Sequence, residues 1–243
     1  KIYFSTLMNP NFEPFYMSNF DSKIEDYKFE FSKMPVGGTL FDLDKLLSIS
    51  KIYLSRLSKN EIYEEMLTYY ERYDQDFAKL LKENKEISLS ALNIERETKR
   101  PRKDFSVYPD MKKELWYFYD ALFNLDTVYD TIEKKKTYQI EFLQDYIDHY
   151  YDSMDSMDTW YEKVKKCAEK YGYCASVKEY KQNPDAYLGH IGDACECIRI
   201  AVTTSLMTPD LYEVLKVLGV DTVKLRIDTF ISYLKKEKEP LSF

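Results

Sequence analysis

The sequence predicts an all-α protein, and three observations point there. Only six glycines occur in 243 residues, where average usage would give roughly seventeen. β-Barrels and nucleotide-binding α/β sheets spend glycine on turns, so the shortage favours helices. Apolar residues recur at helical spacing, as at Leu43, Leu46, Leu47, Ile49, Tyr53 and Leu54, and no useful length of chain alternates apolar and polar residues with the period of a strand.

The elements follow in order. The first forty residues mix aromatics with Pro, Asn and Gly and end in Pro35-Val36-Gly37-Gly38, which reads as connector and turn. Helical spacing sets in at Asp42. Ser58 and Glu61 have the spacing of a capping box, in which the serine takes one free helix amide and the glutamate another. The helix they open carries Ile62, Met66, Tyr69, Tyr70 and Tyr73 on its apolar side. A further helix ends near Glu97, because Pro101 forbids its continuation. Another follows Pro109-Asp110 and directs Leu115, Phe118 and Leu122 inward. The run Trp116-Tyr117-Phe118-Tyr119 is assigned mostly to core by its spacing.

In the second half, Glu141, Asp145, Asp148 and Asp152 share one helical face. Such a stripe reads as a solvated surface; no second helix offers matching carboxylates or histidines, so a metal is not expected. Thr159 with Glu162 opens the next helix, and 195–203 is read as helical. Thr208-Pro209-Asp210 combines a capping hydroxyl, a proline at the first position and an acid. Leu218-Gly219 is the matching stop. Two helical domains are expected, 1–123 and 124–243.

Composition excludes several function classes. No run of about 20 apolar residues exists, so no membrane span is expected. The N-terminus KIYFSTLMNP has neither an initiator Met nor a signal-peptide pattern and reads as a piece of a longer, cytoplasmic chain. The four cysteines read as buried free thiols, since Cys195 and Cys197 would lie about 200° apart around a helix. Walker and dinucleotide loops are missing, and neither His149 nor His190 has a nucleophile placed by a recognisable elbow. No catalytic residue is assigned. The net charge is −7, but charge is segregated. Lys99-Arg100-Pro101-Arg102-Lys103 puts four cations in five residues, whereas 137–162 holds seven carboxylates and no Lys or Arg. A local basic patch, rather than the total, decides whether a nucleic acid is bound.

Four segments carry a family resemblance: GGTLFDLDKLLSISKIYLSRLSKNEIY (37–63), LNIERETKRPRKDFSVYPDMKKELWYFYDALF (92–123), DTWYEKVKKCAEKYGY (158–173) and YLGHIGDACECIRIAVTTSLMTPDLYEVLKVLGVDTVKLRI (187–227). In this order they resemble the region after the catalytic domain in glutamyl-tRNA synthetases. Glutaminyl-tRNA synthetases share the early segments but end in β-barrels, so a helical second half is closer to the glutamyl branch. His190-Ile191-Gly192-Asp193 resembles part of H-I-G-H, and Ser32-Lys33-Met34-Pro35 resembles K-M-S-K-S. Both lie outside the nucleotide-binding context that those motifs need. The resemblance implies that residues 1–123 lie along the tRNA arm and that 124–243 bind the anticodon. It also implies a parent ligase that attaches glutamate to tRNA(Glu) with ATP and magnesium on an absent N-terminal domain, acting as a monomer without DNA.

Within this frame Arg199, Thr208, Pro209 and Leu211 match positions that contact anticodon bases, and Arg96 or Lys99 falls near another anticodon-reading position. Arginine offers a planar fork of donors for base edges or phosphates. A helix start at Thr208-Pro209 would offer free amides to RNA oxygens, and Leu211 an apolar surface. The plain alternatives are that Thr208 only caps, that Leu211 is core and that Arg199 pairs with Asp193 or Glu196. Lys99, Arg100, Arg102 and Lys103 are assigned to the tRNA backbone, against the alternative of a solvated loop. Two other readings stay open: a helical protein–protein scaffold, suggested by the acidic composition and abundant Tyr, and recognition of glutamine tRNA as well.

Overall fold

The computed structural model of the protein describes residues 1–18, 21–125 and 140–237. Among these residues it is all-α apart from one short parallel pairing of Tyr173-Cys174 (β1) with Gly189-His190 (β2). The chain forms two compact units: Lys1–Lys85 with Glu95–Glu114, and Glu86–Ile94 with Leu115–Phe243. It thus passes from one to the other at 85–86, 94–95 and 114–115, whereas the sequence predicts a single boundary at 123–124.

In the first unit the expected connector is helical. Residues Ile2–Met8 (α1) and Phe12–Ser18 (α2) fold because their aromatics have partners from beyond their own turns. Phe12 is fully buried, with the Tyr27 ring 5.1 Å and the Phe29 ring 6.0 Å away. Next come Leu43–Arg56 (α3), capped by Asp42, and Lys59–Tyr73 (α4), where Ser58 and Glu61 form the expected capping box. The apolar side of α4 is Ile62, Tyr63, Met66 and Tyr70, while Tyr73 is exposed. Tyr73 sits in the last turn, where Asp74 both ends α4 and caps Gln75–Glu83 (α5). Glu65 joins two elements by accepting from Tyr53 at 2.9 Å and Tyr108 at 2.7 Å.

Lys85–Asn93 (α6) stops four residues before Glu97, because Glu95 takes a left-handed φ of 53°. The next helix, Tyr108–Leu115 (α7), begins before Pro109, with Asp110 accepting from the amides of Ser106 and Val107. A 3₁₀ turn over Trp116–Phe118 follows, in which Tyr117 and Phe118 are buried. Leu122 is only half-buried. Ser88 and Tyr119 share a hydrogen bond of 2.9 Å inside the second unit.

The acidic stripe of the second unit is not one continuous helix. Ile140–Asp145 (α8) widens into a π-turn over Tyr146–Tyr150, and Asp152 lies outside it. Asp145 is not solvated surface either: it is mostly covered and pairs with Lys170 at 2.7 Å and His149 at 2.8 Å. Met157–Lys170 (α9) is capped by Ser156 rather than Thr159. The earlier start lets Trp160 reach Tyr146, its Nε1 donating to the phenol oxygen over 2.9 Å. Val177–Gln182 (α10), Ile191–Thr203 (α11), Leu211–Leu218 (α12) and Val220–Glu237 (α13) complete the unit. Its core joins Val164 and Cys167 of α9, Ile198 and Ala201 of α11, and Ile227 and Phe230 of α13. All six are buried, which fixes α11 and therefore the side chains on its outer face.

Candidate nucleic-acid interface

Two sets of residues singled out in the sequence lie in different units, and each is built by a helix end. In the second unit α11 carries Arg199, with Ala194, Cys197, Ile198 and Ala201 buried beneath it. The helix ends at Thr204, whose left-handed φ of 53° turns the chain into the loop 205–209. Thr203 Oγ1 donates to Arg199 O over 2.8 Å and accepts from Ser205 N at 3.2 Å. Ser205 Oγ in turn donates to Met207 O at 2.8 Å. The loop is thus a hydrogen-bonded turn and not a loose connector.

Its far end departs from the sequence reading. Asp210, not Thr208, caps α12, by accepting from Glu213 N at 3.1 Å. Pro209 consequently lies ahead of the helix, because a carboxylate one position from the first turn outcompetes the threonine hydroxyl. Thr208 Oγ1 accepts from Arg199 Nε at 3.0 Å and donates to Pro209 O at 2.8 Å. Arg199 pairs through its side chain with this hydroxyl rather than with Asp193 or Glu196. Leu211, expected to offer a base an apolar surface, is 4% exposed and belongs to the core. The apolar side chains at the surface here are Leu206 and Met207, the latter 78% exposed. The sequence reading passed over both, although they precede Thr208 between two helix ends.

The set in the first unit also divides between buried and exposed side chains. Arg96 is 6% exposed, and its Nη1 donates to Leu54 O at 2.7 Å and Leu57 O at 3.0 Å. Its side chain is therefore spent on carbonyls at the end of α3 rather than exposed at the surface. Arg102 is half-buried between Asp104, 2.5 Å from its Nε, and Glu95, 3.5 Å from its Nη1. Two carboxylates therefore hold the cation that was assigned to the backbone. Lys99, Arg100 and Lys103 are exposed.

The two sequence look-alikes have structural roles. His190 caps α11, with Gly192 N donating to its Nδ1 at 2.9 Å and Asp193 accepting from His190 N at 2.8 Å. Lys33 lies in a 3₁₀ turn and pairs with Glu30 at 2.7 Å. Among the described residues no group of three or more His, Cys, Asp and Glu side chains could hold a metal ion. Burial pushes the Cys167 thiol up to about 12 and the Cys195 thiol to about 11. No described helix is long and apolar enough to cross a membrane.

Comparison with known proteins bears on the same segment. The chain is 36% identical over 230 residues to a glutamate–tRNA ligase of Acetivibrio thermocellus, an alignment covering 94% of this chain and 42% of that protein. It is 32% identical over 233 residues to the glutamate–tRNA ligase of Clostridium perfringens, covering 95% and 42%. A third glutamate–tRNA ligase, from Sorangium cellulosum, is 32% identical over 229 residues, covering 94% and 40%. The chain thus spans about two fifths of the length of the curated relatives it matches. The family described as "Anticodon binding domain" matches residues 101–231, which include α11, the 205–209 loop and α12. With more than half of its residues inside that match, the chain belongs to the anticodon-binding domain family.

Proposed function

We propose that this chain is the tRNA-recognition region of a glutamate–tRNA ligase, and that Arg199 with the 205–209 loop contacts anticodon bases. The observation that carries the reading is the Arg199–Thr208 pair inside the matched segment. With Nε committed to Thr208, the two terminal nitrogens of the guanidinium are the groups left to meet a base edge or a phosphate. Met207 supplies an exposed apolar face beside it, and single-stranded RNA loops are read by such combinations of stacking surface and edge donors. Lys99, Arg100 and Lys103 supply sequence-independent attraction to the backbone.

In this reading the ATP- and magnesium-dependent glutamylation takes place on the rest of a cytoplasmic, monomeric ligase, and the chain alone has no catalysis. Fluorescence anisotropy against transcripts bearing the glutamate anticodon and a swapped anticodon tests the binding. Tighter binding of the former is expected, and equal or absent binding of both would overturn the reading. Capture of protein partners with no RNA would favour the scaffold alternative. Pyrophosphate exchange into ATP should stay at the buffer level; exchange above it would refute the assignment of the chemistry elsewhere.

A further inference from the structure

Four basic residues of the first unit border one depression. A concavity of about 420 Å³ is lined by Ser55 and Arg56 from the end of α3 and by Lys99, Arg100 and Lys103 from the basic loop. None of the described residues lining it is acidic. Lys99, Arg100 and Lys103 make no ion pair among the described residues, and with Arg56 they bring four basic residues to one space that no described carboxylate lines. Such an arrangement is self-repelling and is relieved by an anion.

Arg56 is fixed in place. Its Nη2 donates to Tyr16 O at 2.6 Å, and the guanidinium carbon lies 4.1 Å from the centre of the Tyr16 ring. A held guanidinium loses little side-chain entropy when it meets a ligand. The last carbonyls of α3 would repel an anion, but Leu54 O and Leu57 O are both taken by buried Arg96. The neighbouring depression shares Ser55, Arg56 and Lys99 but is also lined by Asp21, Glu61 and Glu97. Charge therefore directs an anion to the first.

We propose that the pocket between the end of α3 and the 99–103 loop is a phosphate-ester site, with Arg56 as its fixed cation and Lys99, Arg100 and Lys103 closing on it. Arg102, held by Asp104 and Glu95, takes no part. The pocket chemistry stands on this geometry alone; that the phosphate belongs to bound tRNA rests on the function proposed above.

The test follows the backbone amides of Ser55, Lys99, Arg100 and Lys103 by NMR while inorganic phosphate is added at constant ionic strength, with chloride as control. Saturable shifts confined to these amides are expected with phosphate and not with chloride. Lys99→Ala with Lys103→Ala should weaken phosphate binding roughly tenfold or more, the size of one or two charge-assisted hydrogen bonds. Arg56→Gln should do the same, and Arg56→Lys should recover part of the loss if the Tyr16 packing is kept. Shifts spread over lysines throughout the chain, or equal shifts with chloride, would overturn the site. So would an effect of the double variant with none from a folded Arg56→Gln. A tRNA transcript is then added to the phosphate-loaded protein. Displacement of phosphate assigns the site to the RNA backbone, whereas tRNA bound beside retained phosphate assigns it to a free phosphate ester. Phosphate binding without any tRNA binding would keep the pocket and refute the proposed function.

Discussion

Arg199 Nε and Thr208 Oγ1 lie 3.0 Å apart, and their hydrogen bond ties α11 to the loop that precedes α12. The threonine both accepts from the arginine and donates to Pro209 O at 2.8 Å, so the guanidinium is aimed by a hydroxyl that is itself oriented. The terminal nitrogens of Arg199 donate no hydrogen bond among the described residues, which leaves a two-pronged donor on a half-buried side chain.

Arg199→Ala should weaken binding of tRNA with the glutamate anticodon by about 1.5–3 kcal/mol, a roughly tenfold to hundredfold change in Kd. The loss on a swapped anticodon should be small. Thr208→Val keeps the charge but frees the side chain, and a smaller loss of about 0.5–1.5 kcal/mol is expected. Anisotropy titrations on variants with unchanged circular dichroism decide the matter. Equal weakening toward both tRNAs would make Arg199 a phosphate contact that reads nothing.

Arg96→Met should act on stability. The substitution leaves the Leu54 and Leu57 carbonyls without the guanidinium that now satisfies them, and each buried unsatisfied acceptor costs about 1–3 kcal/mol. A drop of about 2–5 kcal/mol in urea unfolding of the first unit is expected. Anticodon preference should stay unchanged in buffer where the variant is folded. A variant of wild-type stability that lost the preference would place Arg96 at the RNA after all.

What the sequence made legible was mainly local chemistry. The Ser58–Glu61 capping box and the stop at Gly219 each follow from residues within one or two turns. Residues 1–40 misled because Phe12, Tyr27 and Phe29 form helices and turns only by packing on one another across some seventeen positions. The caps at 156 and 210 misled because several capping residues stand within three positions, and tertiary fit chooses among them. At the candidate interface the residue types were readable and their exposure was not. Arg96 and Leu211 are buried by partners far away in the chain, and Arg56 joins the basic loop from more than forty positions upstream.

Stability should fall on acidification, and Asp145 should be one source. The hydrogen bond from Lys170, with a further one from His149, holds its carboxyl below the ordinary value of 3.8 despite partial burial. Lys112 acts in the same way on Asp74 in the first unit. A carboxylate depressed on folding contributes stability that is complete above its unfolded value, near pH 4, and is lost as pH falls through the lower folded value. Asp145→Asn should therefore flatten the pH dependence of stability below about pH 4 while leaving its slope near neutrality unchanged. Because Lys170 is 57% exposed, added salt should shrink the difference between the two proteins. Parallel curves below pH 4 would show that the pair makes no net contribution.

Arg226 is 3% exposed on α13. Its Nη1 donates to Tyr117 O and Val202 O, both at 2.7 Å, and its guanidinium carbon lies 3.8 Å from the centre of the Phe123 ring. Its Nη2 pairs with Asp120 at 2.8 Å, but the Asp120 side chain is 79% exposed. Water screens that pair, so the stabilisation resides in the two main-chain bonds and the ring contact. Asp120→Asn should then cost less than about 1 kcal/mol. Arg226→Met, which strips two buried carbonyls of their donor, should cost about 2–5 kcal/mol. Val202 lies in the last turn of α11, directly before the loop that carries Thr208, so the same variant should also blunt the preference for the glutamate anticodon. Urea melts of both variants, paired with anisotropy on the folded proteins, separate the effects. A large loss from Asp120→Asn would show that the exposed ion pair matters more than its geometry allows. A destabilised Arg226→Met that kept full anticodon preference would show that the end of α11 and the 205–209 loop are held by other contacts, the Thr203–Ser205 turn first among them.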